Sequence, residues 1–149
     1  MRSINGGRSF MRIEDQYKIL EFKDFGDERG NLVVVEGNAD IPFDLKRVFY
    51  IYGSDPDVVR GMHANRKTEF VLINVGGTSK VKVDNGFETV VVELNRPRMG
   101  IYLPTMVWKE MYDFSEDSIL LVLASEHYDS KEYIRDYSDF LKEVGGVHE

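Results

Sequence analysis

Cysteine is absent from the 149 residues, which excludes a disulfide framework, a thiolate metal site and a cysteine nucleophile. No stretch approaches the roughly 18 consecutive apolar residues that a membrane span needs. Met1 to Phe10 contains Arg2 and Arg8 but no apolar h-region, so it does not read as a secretory signal; the expected compartment is the cytoplasm. Also missing are a phosphate-cradling glycine-rich loop before a helix, a Walker lysine and a nucleophile elbow, which disfavours nucleotide hydrolysis and dinucleotide chemistry. Positive charge is in short supply: 26 acidic against 19 basic side chains, net −7, which argues against a nucleic-acid surface. The deficit is local. Glu110 to Glu149 holds 11 acidic and 3 basic residues, whereas Asp44 to Lys67 holds 5 basic and 3 acidic. The middle of the chain is therefore free to receive an anion.

What is present reads as short strands with turn punctuation. Leu32 to Val35 is an apolar run after the Arg29-Gly30-Asn31 turn. Arg47 to Tyr52 alternates, with Val48, Tyr50 and Tyr52 on one face and Arg47, Phe49 and Ile51 on the other. Phe70 to Val75 is apolar except for Asn74 and reads as a buried strand. Ser79 to Val83 points Lys80 and Lys82 outward, and Asp84-Asn85-Gly86 turns it into Phe87 to Leu94 as a hairpin in which both loop residues tolerate positive φ. Gly100 to Leu103, Val107 to Met111 and Ser118 to Ala124 are further strands. Only the end looks helical: Ser130 is placed to cap one helix reaching about Tyr137 and Ser138 a second ending near Val144, stopped by Gly145-Gly146. The expected organisation is a leader or N-terminal arm over 1–16, with Gly6-Gly7 in a loose stretch, one domain over 17–144 and a tail over 145–149. Many short strands without intervening helices indicate an antiparallel sandwich or barrel with a ligand in its mouth. Its edges need cover, from the N-terminal strand or the C-terminal helices, within one chain or by exchange in a dimer.

Three histidines limit the acid–base options. His148 lies in the tail and is expected to be solvent-exposed; His127 reads as a helix-entry residue after the last strand. His63 follows Arg60-Gly61-Met62 and precedes Ala64-Asn65-Arg66-Lys67. An imidazole takes and returns protons near neutrality, and surrounding cations favour its neutral form and attract anions. Tyr50, Tyr52, Tyr102 and Trp108 offer either sheet packing or a pocket that stacks on a sugar or base. Arg47 needs a partner: a phosphate suits its planar fork, and an internal pair with Asp44 or Glu110 is the equal alternative.

The spacing of His63, Asn65 and Glu69, with Gly76 seven residues on, resembles the first motif of the cupin superfamily. Asn65 stands where that motif has a second histidine, and Pro104-Thr105-Met106-Val107-Trp108-Lys109 has no histidine of the second motif. One imidazole and one carboxylate are too few for the usual zinc, iron or manganese set, so no metal is expected.

A longer string is more specific. Asp40-Ile41-Pro42-Phe43-Asp44-Leu45-Lys46-Arg47-Val48-Phe49-Tyr50-Ile51 leads into Arg60 to Lys67. Later come Gly100-Ile101-Tyr102, Val107-Trp108-Lys109-Glu110-Met111, Leu121 to Ser125, Tyr128-Asp129 and Tyr133 to Tyr137. In this order the chain resembles the dTDP-sugar 3,4-ketoisomerases, the WxcM-like or FdtA-type group of RmlC-like cupins. The resemblance implies a jelly-roll barrel and a homodimer that exchanges N-terminal strands. It implies a cofactor-free isomerisation that moves the carbonyl of dTDP-4-keto-6-deoxyglucose from C4 to C3, for deoxyamino sugars of bacterial surface polysaccharide (lipopolysaccharide O-antigen). Under it His63, Asn65 and Tyr50 are catalytic candidates. Arg47, Tyr52, Arg60, Arg66, Lys67, Tyr102, Trp108 and Lys109 are candidates for substrate binding. The family pattern is His-Ala-His, and this chain has His63-Ala64-Asn65. Either one base suffices with Asn65 as a hydrogen-bond donor, or the sugar or stereochemistry differs, or the protein binds the nucleotide sugar without isomerising it. A 3,5-epimerase is a further alternative.

Overall fold

The computed structural model describes residues 2–4 and 8–146; the side chains of residues 2–4 and 8–10 lie outside that description, as do the Gly6-Gly7 leader and His148. Two short strands, β1 (Arg2–Ile4) and β2 (Arg8–Phe10), form a separate antiparallel hairpin. The domain itself is built from two five-stranded sheets. One runs in the order β3 (Lys18–Glu21), β9 (Met99–Leu103), β6 (Phe70–Gly76), β11 (Ile119–Ala124) and β4 (Arg47–Tyr52). The other runs β12 (Tyr133–Ile134), β5 (Arg60–Asn65), β10 (Trp108–Tyr112), β7 (Ser79–Asp84) and β8 (Thr89–Leu94). All the pairings are antiparallel. This is the expected all-β jelly-roll architecture; among the described residues its one α-helix lies at the end of the chain, and a single 3-10 turn, Ile13–Asp15, precedes β3.

Alternation decides what each sheet buries. Leu72, Val81, Val83, Ile101, Leu103, Leu120 and Val122 point between the sheets and are almost wholly withdrawn from water. On the outer face of the first sheet, Val71, Ile73 and Leu123 are covered by Phe22, Ile41 and Phe43 of the long 22–45 segment. Asn74, inside the apolar run of β6, is buried and donates to the Ser118 hydroxyl while accepting from Ser79. The second sheet's outer face is closed by α1 (Tyr137–Val144), which lays Phe140 on Trp108, Ala64 and Ile134.

Four local expectations need correction. Leu32 to Val35 is not a strand; only the isolated bridge between Asp24 and Val33 forms, because the segment follows its own turns across the sheet. The Asn85-Gly86 hairpin is present, but its loop is wider and the return strand starts at Thr89. Asn85 spends its side-chain oxygen on the Phe87 and Glu88 N–H groups, and of the two loop residues only Gly86 has a positive φ, +92°. The first expected helix is a single turn, Ser130–Glu132, followed by β12, since Tyr133 and Ile134 find a ladder on β5. The last helix is capped by Asp136, which accepts from the Asp139 N–H, not by Ser138. Gly145 stops it in the left-handed conformation at φ 70°, as expected.

Leu120, the second residue of β11, has no exposed surface, and Val91 is half-exposed on β8. Leu120→Ala should lower the unfolding free energy by about 2–5 kcal/mol, whereas Val91→Ala should change it by no more than about 0.5 kcal/mol, both read by chemical denaturation.

Candidate active site

One mouth of the barrel opens into a cavity of about 360 Å³. Its walls are Phe49, Ile51, Phe70, Leu72, Met111 and Val122, and its polar lining is His63, Lys109, Arg47, Arg60 and Arg135 with Tyr128 and Tyr133. An apolar body with a few convergent polar groups is the usual form of a small-molecule site.

Strand register delivers the central pair. His63 of β5 lies directly opposite Lys109 of β10, and both point inward. Arg60 stands three residues before His63, which on a regular strand would put it on the other face. A bulge changes this: the ladder shifts between Lys109 and Glu110, and Gly61 and Met62 both take positive φ, +85° and +57°. A side chain at Gly61 would meet the Lys109 carbonyl at 3.0 Å. The bulge turns Arg60 into the cavity alongside His63.

The electrostatics are those of a cationic pocket. His63 is held neutral: burial pushes its imidazole down to about 4, helped by the charges of Lys109 and Arg135 and opposed by the Gly61 backbone and Glu132. Its Nδ1 is buried without a hydrogen bond. Lys109 is fully enclosed, its ammonium 5.0 Å from the Phe70 ring, and burial lowers it to about 7 against the raising effect of Glu132. Arg47 contacts the Tyr133 hydroxyl at 3.4 Å and lies against Phe49 and Tyr128, with its Nε buried and unbonded. Neither Asp44 nor Glu110 pairs with it. Among the described residues, none of Arg47, Arg60 and Arg135 forms an ion pair. Three unpaired guanidinium groups around one mouth suit an anion such as a diphosphate.

Of the residues singled out in the sequence, His63, Arg47, Arg60 and Lys109 come together here. The others are placed elsewhere. Tyr50 and Tyr52 project from the opposite face of β4, 62 % and 71 % exposed and stacked on one another, because they alternate with the inward Arg47, Phe49 and Ile51. Tyr102 faces outward on β9 and donates to Glu69. Trp108 lies under α1 and donates to Glu110. Arg66 pairs with Glu143 of α1 outside the cavity, and Lys67 is exposed, offering only its backbone N–H to Glu132. Asn65 points inward but is completely buried behind Lys109.

Sequence reasoning missed Glu132, Tyr128, Tyr133 and Arg135. They follow the last long strand, Tyr128 just before and the other three within the segment that reads as helix. The Tyr128, Tyr133 and Arg135 spacing gives no periodic signal until β12 docks on β5. No group of three or more histidine or carboxylate side chains is placed to hold a metal ion among the described residues.

Fold and site together define a cupin-type jelly-roll barrel whose mouth sets an imidazole opposite a buried lysine among further cations. The FdtA model (WxcM-like, C-terminal) matches residues 15–145. A TDP-4-oxo-6-deoxy-alpha-D-glucose-3,4-oxoisomerase from Aneurinibacillus thermoaerophilus is 41 % identical over 131 residues, covering 88 % of this chain and 94 % of that protein. Among solved structures, a 3,4-ketoisomerase from Helicobacter canadensis is 43 % identical with a TM-score of 0.85, over 87 % of this chain and 97 % of that one. The sugar 3,4-ketoisomerase QdtA from Thermoanaerobacterium thermosaccharolyticum, solved with TDP, is 44 % identical with a TM-score of 0.85, over 87 % and 95 % of the two chains. The chain belongs to the FdtA family.

Because unfolded histidine protonates near 6.5 and folded His63 only near 4, the unfolded chain binds the extra proton between these values. This residue should therefore remove roughly 1 kcal/mol of stability per pH unit as pH falls from 6.5 to 4. Denaturation of His63→Gln over the same range should show a correspondingly shallower slope.

Proposed function

We propose that this protein is a nucleotide-sugar 3,4-ketoisomerase acting on dTDP-4-keto-6-deoxyglucose. The observation that carries the reading is the neutral imidazole of His63 set opposite Lys109 in a cavity rimmed by three unpaired arginines. The relatives' activity and the TDP in the QdtA structure are consistent with it.

The chemistry follows from the lining. Arg47, Arg60 and Arg135 take the diphosphate, and the Phe49, Tyr128 and Tyr133 rings border the sugar. The bound diphosphate opposes the cationic field that depresses His63 and so raises its basicity. His63 removes the proton from C3, acidified by the C4 carbonyl, and the electron pair moves onto O4. The cationic lining stabilises the resulting enediolate, as fixed charges in a water-poor site do. The same imidazole then returns its proton to C4 as the C3 carbonyl forms, and the proton released from O3 is matched by one taken up at O4. Only protons move, and the sugar's overall oxidation level is unchanged. Asn65, buried behind Lys109, is not needed as a second base. The product is a 3-keto sugar suited to amination, for bacterial surface polysaccharide, and the compartment is the cytoplasm.

A homodimer completes the reading. Val48, Tyr50 and Tyr52 of the edge strand β4 and Ile119 of β11 leave an exposed apolar face, a surface that monomers rarely carry. β3 pairs with β9 of its own chain; exchange between copies would put the same ladder across the interface.

The substrate incubated in D₂O should give a 3-keto product, followed by NMR, with deuterium at C4 in proportion to the exchange of the His63 proton with solvent before it is returned. Deuterium at C3 and C5 without carbonyl migration would identify an epimerase, and TDP binding without turnover a binding protein. His63→Asn should lower kcat by about 10²–10⁴-fold with TDP affinity retained. Arg47→Ala should weaken TDP binding by about 10–100-fold, the loss of a charged hydrogen-bonding group. Sedimentation should give a dimer, and Tyr50→Asp should shift it toward monomer.

A further inference from the structure

Behind the cavity wall lies a buried polar chain that the proton transfers at His63 leave unused. Glu132, at the single turn before β12, is almost completely buried. Its carboxylate accepts four hydrogen bonds: from the Lys67 N–H at 2.8 Å, the Thr68 N–H at 3.3 Å, the Thr68 hydroxyl at 2.6 Å and the Asn65 side-chain amide. Burial raises its affinity for a proton, but the bonds from Thr68, Lys67 and Asn65 outweigh this and hold it below the usual range. It is an anion with donors on both oxygens.

That settles the direction of the next link. An ionised carboxylate only accepts, so Asn65 must turn its NH₂ toward Glu132 and its carbonyl oxygen away. The oxygen accepts from Lys109 Nζ at 3.2 Å. Lys109 is thus tied to one strand at two points, opposite His63 in the ladder and bonded to Asn65 two residues farther along β5. The remaining groups around the cavity are Arg47 on β4, Arg60 on β5, Arg135 beyond β12, and Tyr128 and Tyr133. Glu132 is the anion in contact with this chain, so it is the group that offsets the enclosure of a lysine among cations and the Phe70 ring.

We propose that Lys109 is the group that moves the proton between the two substrate oxygens, and that Glu132, acting through Asn65, is the positioning residue that keeps it charged and aimed. As His63 takes the C3 proton, the Lys109 ammonium gives a proton to O4, forming the neutral enediol. The Lys109 amine then takes the O3 proton as His63 delivers its own to C4. Each group ends in its starting state, so the cycle balances without any co-reactant. A lysine suits this because its proton affinity, lowered by burial and restored in part by an anion, falls near neutrality. Asn65 cannot titrate; it relays orientation and charge.

The inference rests on the isomerase reading, and the experiment separates the two. Lys109→Met and Lys109→Arg should each lower kcat at least tenfold with TDP affinity within about twofold of wild type, since neither leaves a lysine amine to shuttle a proton. Glu132→Gln and Asn65→Leu should move the Lys109 titration midpoint down by about one pH unit. This is read directly in the free enzyme by NMR of ¹⁵Nζ-labelled lysine, with Lys109→Arg assigning the signal. In Glu132→Gln the basic limb of the kcat/KM profile should move with that midpoint, which a merely structural role would not produce; Thr68→Val, removing one bond to the carboxylate, should move it less. A wild-type protein that binds TDP but moves no carbonyl overturns the isomerase reading. An active wild type whose Lys109→Met variant keeps its kcat, or whose Glu132→Gln variant keeps the Lys109 midpoint, overturns this proposal alone.

Discussion

A buried carboxylate at the rim of the barrel has to be satisfied, and much of the site follows from how this one is. Glu132 takes donors from Asn65 at the end of β5 and from Lys67 and Thr68 in the turn that leads to β6. An unpaired anion there would be strongly destabilising, so the post-strand segment docks where those donors converge. Docking it sets the two-residue ladder of β12 on β5 and brings Tyr133 and Arg135 to the cavity mouth. It also fixes the Asn65 amide and, beyond it, the Lys109 ammonium.

The cavity owes its character to an imbalance. Cations converge on its mouth from β4, β5, β10 and the segment after β12, while the chain's excess negative charge lies largely after residue 110 on outward positions. Glu143 pairs with Arg66, Asp113 with Lys80 and Glu126 with Lys46, and none of these pairs involves a residue of the cavity lining. An acidic protein can thus present a basic pocket, because fields in a partly enclosed, low-dielectric mouth are set by the nearest groups and distant surface charge is screened. Burial, helped by the same field, keeps His63 neutral and ready to accept a proton when an anionic ligand arrives.

Strand β4 shows how one alternating sequence serves two purposes. Arg47, Phe49 and Ile51 line the cavity, and Val48, Tyr50 and Tyr52 form an exposed apolar face at the sheet edge. The aromatic face that invites a substrate reading is the one turned away from the substrate. Lining and outer surface are separated by a single residue step, so alternation identifies two faces without saying which is inside.

Strand positions were legible in the sequence where hydrophobicity alternates or runs unbroken: β4, β6, β7, β9, β10 and β11 lie within a residue or so of expectation, because backbone pleat and burial impose that period locally. His63 amid cations was legible for the same local reason. Other features depended on contacts between distant segments. The β5 bulge that aims Arg60 exists because Gly61 and Met62 must fit against β10, and the direction of Asn65 is dictated by a carboxylate 67 residues away. Residues 130–134 look helical until β5 offers them a ladder. The composition and order of residues thus determined an all-β barrel with an imidazole beside positive charge. Tertiary packing alone decided which face of β4 is inside, which cations lack partners, and that a lysine would be enclosed across from the histidine, since burial and pairing are properties of neighbours that the chain brings together only when folded.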